Sequence, residues 1–482
     1  MTRTSLAAAA AAALLLNGCA STPPAPTLPP AVALAATWQA PLPHGGATAE
    51  LTRWWAQFKD PVLTDLQLAA QQASPSLAAA RARIPRARAT LAGAEGGNLP
   101  RLDAVGSAGQ GRSVPGQSSS RSVSLGLQAS WEQDVLGAVG LSPKSDEDAA
   151  RARLQAAQAG WHDARVSVAA EVASSYTALR ACEAQLLQSQ QDVASRSETA
   201  RLTEQSAQAG FTAPADAALV RAGVAQTRSQ MFVTQTQCDT LVKGLVEVTD
   251  LAEPDLRARL APRRAQLPGA LSLSLSTLPA DLLARRPDLV EAARQVLAAA
   301  SDQAVSKSRE RPQISLSGSF AGVRLSGGGN TSSQGATWSA GPLVVSFPIF
   351  DGGARAAATL AARVDYDNAV AQYQALARRA VREVETALVT LDTTAQREVD
   401  ALAAARGFEA SLLATQARQR GGLASLLDLE AARRNALQAQ SALIELQRER
   451  AAAWIALYRA LGGGWDPASL ATTVTAAAPA QP

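Results

Sequence analysis

The sequence predicts a mixed α and transmembrane-β protein with an internal duplication. Three observations predict it. The chain repeats itself at a fixed spacing, each copy holds one short β-hairpin between long helical stretches, and an export signal opens the chain. Pro75 and Leu77 return as Pro287 and Leu289, and Pro100 and Leu102 return as Pro312 and Ile314, all at an offset of 212. The turn Asp134–Gly137 returns as Phe350–Gly353, and Gly210 is matched to Gly421. Such a unit is far longer than a solenoid repeat, so the copies read as duplicated staves of a ring.

Composition narrows the function. The 482 residues carry 45 Lys+Arg against 41 Asp+Glu, a net charge of +4 that offers no concentrated basic stripe for nucleic acid. Hydrophobic residues reach 47%, much of it Ala, and aromatics only 4%. Small side chains bury little area each, which suits closely packed helices better than a thick core.

From the N-terminus, Arg3, the apolar run Leu6–Leu16 and the sequence Leu16-Asn17-Gly18-Cys19 read as an export signal over residues 1–18. It resembles a bacterial lipoprotein signal, with Cys19 as the lipidated first residue. An ordinary secretory signal with an incidental Cys is the alternative. A Thr/Pro-rich stretch follows, so residues 19–50 read as a lipidated tether.

The first copy is expected over residues 51–252. Val62–Glu95 reads as a helix containing Pro85, and Leu99–Gln110 and Arg121–Trp131 as strands around the turn Ser113–Ser120. A helical hairpin follows over 140–249, broken at Gly210-Phe211-Thr212-Ala213-Pro214. A Pro-rich linker begins at Glu253 and extends through residue 277. The second copy, 278–465, repeats the plan: helix Leu278–Ser308, hairpin 312–350 and helical hairpin 354–461, turning at Gly421-Gly422. Gly462-Gly463-Gly464 stops the last helix, and 466–482 reads as a disordered tail.

The strands carry the membrane signal. Val123, Leu125, Leu127, Ala129 and Trp131 alternate with Ser122, Ser124, Gln128 and Ser130. Ile314, Leu316 and Phe320 alternate with Gln313, Ser315, Ser317 and Ser319. Period-2 alternation over this length suits a tilted membrane strand. The first strand alternates more weakly, and Gly341-Pro342 interrupts the fourth. A half-buried hairpin in a soluble sheet is the competing explanation. Four strands cannot close a membrane barrel, and an open edge cannot face lipid, so membrane strands here require several chains to share one barrel. The long helical stretches, at about 1.5 Å per residue, give rods of roughly 100 Å. A barrel continued by such walls is a tunnel.

These residues carry a family resemblance. Leu278-Pro279-Ala280-Asp281-Leu282-Leu283-Ala284-Arg285-Arg286-Pro287-Asp288-Leu289, Pro312-Gln313-Ile314-Ser315-Leu316, Phe347-Pro348-Ile349-Phe350-Asp351-Gly352-Gly353 and the terminal Leu457–Trp465 resemble outer-membrane efflux proteins of the TolC/OprM type, in the lipoprotein branch that includes NodT. Trp54–Pro61 and Trp131–Gly137 fit the same pattern. The resemblance implies a homotrimer that shares a twelve-stranded outer-membrane barrel, four strands per chain, continued by a periplasmic α-helical barrel. It implies an exit duct for a tripartite efflux system, docked to a periplasmic adaptor and an inner-membrane pump, with RND the expected pump type. No enzyme activity and no cofactor are implied.

It also implies a periplasmic gate where the helical hairpins turn. Asp216 and Glu430 match family positions that close the pore, and Asp428 lies beside another. The family's Arg two residues past the second Gly is Leu423 here, so Arg418 or Arg420 is expected to pair with the acids. Gly210, Phe211, Gly421 and Gly422 form the expected adaptor-contacting tip. Asp216, Asp428 and Glu430 could equally be solvated helix-start acids. Arg309-Glu310-Arg311 stands where relatives often carry aromatics.

Cys182 and Cys238 each lie 28 residues from Gly210, so they face each other if the hairpin turns there. Export permits a disulfide; two buried reduced cysteines are the alternative. His44 and His162 are too few and too far apart for a metal site. Two other functions remain open: a non-conducting structural spacer, and the outer-membrane component of a secretion system.

Overall fold

The computed structural model describes residues 39–40, 54–55, 58–111, 119–133, 145–268, 285–327 and 332–465. The expected signal, Cys19, most of the tether and the C-terminal tail lie outside the described residues. The chain divides into two units. One comprises Arg83–Ala157 with Glu291–Gln374, together with the extreme N-terminus; the other comprises Val32–Ala82, Gln158–Val290 and Ala375–Pro482.

Helix α1 (Pro61–Ala73) starts where Asp60 accepts bonds from the N–H groups of Val62 and Leu63, with Pro61 in the first turn. It ends at Ser74, held in an extended conformation ahead of Pro75, which opens α2 (Pro75–Gly97). The single helix expected over Val62–Glu95 is therefore two. Pro85 does not end α2; it sits on an exposed stretch, where water can satisfy the carbonyl its ring displaces.

In the first unit, β1 (Arg101–Gly111), β2 (Ser120–Gln133), β3 (Gln313–Ser326) and β4 (Ser332–Ser346) form one antiparallel sheet in that order. Directly paired residues share a face. Leu127 pairs with Phe320 and Phe320 with Trp338, while Trp131 pairs with Leu316 and Leu316 with Leu343. These residues make one apolar face, and it is open: Leu125 is 72% exposed, Phe320 59% and Trp338 76%. The opposite face is polar, crossed by hydroxyl bonds between Ser107 and Ser124 and between Ser319 and Ser339. The fourth strand runs through Gly341-Pro342, with the register shifting opposite, between Leu316 and Gly318. Pro is tolerated because it falls at this irregularity, opposite Ser317, where the ladder is already interrupted.

Among the described residues the remaining α-helices are α3 (Ser145–Gln208), α4 (Pro214–Thr249), α5 (Glu253–Leu260), α6 (Pro287–Ser308), α7 (Ala354–Arg420) and α8 (Leu426–Ala460). The expected linker is thus partly helical. Pro254 falls in the first turn of α5, where its missing N–H costs nothing. Among the described residues no helix is long and apolar enough to cross a membrane.

The second unit holds the main core, where Trp54, Leu63, Leu66, Tyr176, Leu179, Leu245, Leu256, Leu388, Trp454 and Leu457 pack together. Trp54 lies edge-on to Trp454 at 6.1 Å, and Trp55 meets Tyr458 at 4.6 Å. A buried cation ties the signature motif to this core. Arg286, 5% exposed, binds Asp288, Glu383 and the carbonyl of Ala460 at the end of α8.

Candidate functional site

Both helical hairpins turn in the second unit, and both turns close the same way. In the first, Gly210 adopts φ +81° and the N–H of Phe211 reaches back to the carbonyl of Ser206 at 2.9 Å. In the second, Gly422 adopts φ +73° and the N–H of Leu423 reaches back to the carbonyl of Arg418 at 2.8 Å. This is a left-handed helix terminus that favours Gly at one position. The structural equivalent of Gly210 is therefore Gly422, at the offset of 212 shared by the other landmarks, and not Gly421.

The corrected match aligns the acids differently. Asp216 is the third residue of α4, and Asp428 the third of α8. They are quasi-equivalent in position but not in bonding. Asp428 completes a capping box with Ser425: its N–H donates to Ser425 Oγ at 3.1 Å, and its Oδ2 accepts from Ser425 N at 2.9 Å and from Ser425 Oγ at 2.7 Å. The side-chain bond from Ser425, then the backbone one, hold the Asp428 carboxyl below the usual carboxylate range. Asp216 caps nothing; it is exposed, and no ion pair engages it among the described residues.

Glu430 is part of a clamp between α3 and α8. Its Oε2 lies 2.6 Å from Arg196 Nη1, and its Oε1 lies 2.5 Å from Arg433 Nη1. Arg196 also holds Asp192 at 2.9 Å, and Arg433 Nη2 donates to Ser195 Oγ at 2.9 Å. Arg433 is buried, and the Arg196 and Glu430 side chains are only 19% and 22% exposed. The expected pairing of Arg418 or Arg420 with the acids is thus overturned for Glu430. Arg418 is exposed and donates to the carbonyl of Leu423 at 3.3 Å; Arg420 is exposed and has no ion pair among the described residues. Sequence reasoning missed Arg196, Arg433 and Asp192. The spacing Asp192–Arg196 and Glu430–Arg433, one turn apart on each helix, was the available signal.

Phe211 is 86% exposed, and Leu423 and Leu427 are each 74% exposed, so both turns end in apolar side chains. Higher in the first hairpin, Cys182 on α3 and Cys238 on α4 are joined as a disulfide, Cα–Cα 5.6 Å. The other singled-out motif, Arg309-Glu310-Arg311, is partly accounted for: Glu310 accepts a bond from Thr359 at 2.7 Å. Among the described residues no group of three His, Cys, Asp or Glu could hold a metal ion.

The repeated architecture has relatives. The profile of the outer membrane efflux protein family matches residues 66–249 and 278–463. The chain belongs to the outer membrane efflux protein family. It is 31% identical to the outer membrane protein OprJ of Pseudomonas aeruginosa, over 91% of each chain. It is 28% identical to the solvent efflux pump outer membrane protein SrpC of Pseudomonas putida, over 91% of this chain and 94% of that protein. The solved outer-membrane channel OprN superposes with a TM-score of 0.75 at 26% identity, over 92% of this chain and 98% of that one. The CmeC channel of Campylobacter jejuni shares the fold with a TM-score of 0.78 at 21% identity, over 89% of this chain and 92% of that one. This efflux protein therefore has the channel fold expected from its strands and long helices, and its place is the outer membrane.

Proposed function

We propose that this efflux protein is the exit duct of a tripartite system, passing cargo from an inner-membrane pump of the RND type, through a periplasmic adaptor, across the outer membrane. The observation that carries the reading is the sheet: one face apolar and open, the other polar, and both edge strands unpaired among the described residues of a single chain. Such edges cannot face lipid, so three copies share one barrel of twelve strands, with the polar face turned to a water-filled lumen. The apolar tips at Phe211, Leu423 and Leu427, with Gly210, Gly421 and Gly422, are the adaptor contact. Asp216 and the Glu430 clamp act at the closing end of the tunnel, and Cys19 carries lipid. The reading assigns no enzymatic role to the chain.

The test is paired. The full-length protein is reconstituted in planar bilayers, and the gene is introduced into a strain lacking its own efflux channel. Discrete conductance steps with restored resistance to an exported compound support the duct. Neither result, with the protein correctly placed in the outer membrane, favours the structural spacer instead.

A further inference from the structure

We infer that Arg121 and Arg324, neighbours on the apolar face of the sheet, form a clasp for the phosphate groups of the phosphorylated glycolipid in the outer leaflet. The site rests on the reading above that this face meets lipid. Topology sets its direction. α2 leads into β1 at Arg101, β2 runs out at Gln133 toward α3, α6 leads into β3 at Gln313, and β4 runs out at Ser346 toward α7. The register gathers those four ends, since Arg101 pairs with Ser130, Gln133 with Ile314 and Gln313 with Ser346. The two turns lie at the other end, beyond the pairs Gly111–Ser120 and Ser326–Ser332. With the helices on the periplasmic side, the turn end reaches the outer surface of the membrane.

The height of the two arginines follows from the strand. Trp131 marks the lower border of the apolar face, where its indole N–H donates to the carbonyl of Asn98 at 3.1 Å. Arg121 shares that face, ten residues along the same strand (131 − 121), past Leu127, Leu125 and Val123. At about 3.3 Å per residue and a tilt of about 40°, this is about 25 Å of height, the span of the apolar band of a membrane barrel. Arg121 therefore stands at the upper border. Arg324 pairs with Val123, two residues lower, and its long side chain reaches up to the same level.

Charge selects the occupant. From Ala104 to Trp131 and from Pro312 to Phe350 the sequence has no Asp or Glu, and its only charges are Arg112, Arg121 and Arg324. Arg112 lies outside the described residues. Arg121 pairs with Ser326, so Arg324 is its diagonal neighbour, about 7–8 Å away. Two cations at this spacing repel each other unless an anion joins them. Gln110 accepts a bond from Arg121 Nε at 3.2 Å, which orients the fork, and Gln334 pairs with Arg324. Both arginines are exposed, and no ion pair engages either among the described residues. Guanidinium forks match phosphate oxygens, and at this border those oxygens belong to the outer-leaflet glycolipid.

The test titrates the full-length protein in detergent with lipid A and counts bound lipid by native mass. Arg121→Ala and Arg324→Ala should each weaken binding about threefold, and the two together about tenfold, as suits exposed charge-assisted pairs. The pair Arg121→Lys with Arg324→Lys keeps the charge, loses the fork and should fall between. Arg101→Ala, at the opposite end on the polar face, should leave binding unchanged. Lipid A stripped of phosphate, phosphatidylglycerol and inorganic phosphate should each bind about fivefold more weakly or less. Equal lipid A binding by the double alanine variant, or undiminished binding of the stripped lipid, overturns the clasp. Phosphatidylglycerol binding as tightly as lipid A overturns the glycolipid as its occupant. Should the alanine pair fail to assemble, the lysine pair decides by the same titration: binding equal to the unmodified chain overturns the clasp. If the unmodified chain does not insert into bilayers, the reading of the sheet fails; if it inserts but the variants bind lipid A normally, only the clasp fails.

Discussion

Replacing Glu430 by Gln should loosen closure of the helical tips. The carboxylate accepts charge-assisted bonds from Arg196 at 2.6 Å and Arg433 at 2.5 Å, all three groups being mostly shielded from water. Bonds to charged groups contribute about 1.5–3 kcal/mol each. Gln keeps the shape and one acceptor, so the net loss is about 2–3 kcal/mol, less than the sum of two bonds. Arg433, still buried, keeps only Ser195 and Thr199 as partners, while Arg196 retains Asp192. If the α3–α8 clamp belongs to the closed state, the closed-to-open ratio falls by roughly 30- to 150-fold. Single-channel recording in planar bilayers reads this directly as a larger open fraction or conductance. Glu430→Asp, which keeps the charge but shortens the reach, should fall between. Recordings of Glu430→Gln that match the unmodified channel would refute the reasoning, because the clamp would then exist in both states or carry no energy.

Three further outcomes follow from the second unit. Arg286→Met should cost about 3–5 kcal/mol in unfolding measurements, because Asp288 and Glu383 lose their shared buried cation; a change under 1 kcal/mol would mean the motif's Arg is dispensable to the core. The Cys182–Cys238 bridge closes a sequence separation of 56 residues, so Cys182→Ser with Cys238→Ser should lower stability by about 4 kcal/mol in the chain-entropy picture. Thiol labelling of unreduced protein should find neither sulfur reactive. His162 is pushed down to about 4, first by burial and then by Arg165. Its folded value lies below the ordinary 6.5, so its contribution to stability is full above 6.5 and is lost as pH falls toward 4. Asp163 next to it is raised, first by burial and then by Asp288, which gives the opposite slope. The comparison is therefore His162→Gln against the unmodified protein between pH 7 and 5, where the variant should lose less stability; equal losses would contradict the assignment.

Much of the fold was legible because its signals are local. Alternation in β2 and β3 depends only on residues two apart, and the helix stops at Gly210 and Gly422 depend on a backbone conformation that favours Gly. The misreadings were local competitions as well. Ser74-Pro75 ended a helix that Pro85 did not, since Pro75 follows an extended residue while Pro85 sits where water reaches the backbone. Matching Gly210 to Gly421 departed from the constant offset by one residue, and that slip hid the equivalence of Asp216 and Asp428.

By itself, the sequence determined the duplicated plan, the membrane character of the strands and the need for more than one chain. Each follows from periodicity, length and the intolerance of lipid for open backbone. The tertiary structure alone decided the partners of the charged groups. Glu430 binds Arg196, 234 residues away, and leaves Arg418, only twelve positions back, to bond the carbonyl of Leu423 in the turn. An ion pair forms between groups brought within about 3–4 Å, and only the packing of α3 against α8 sets that distance.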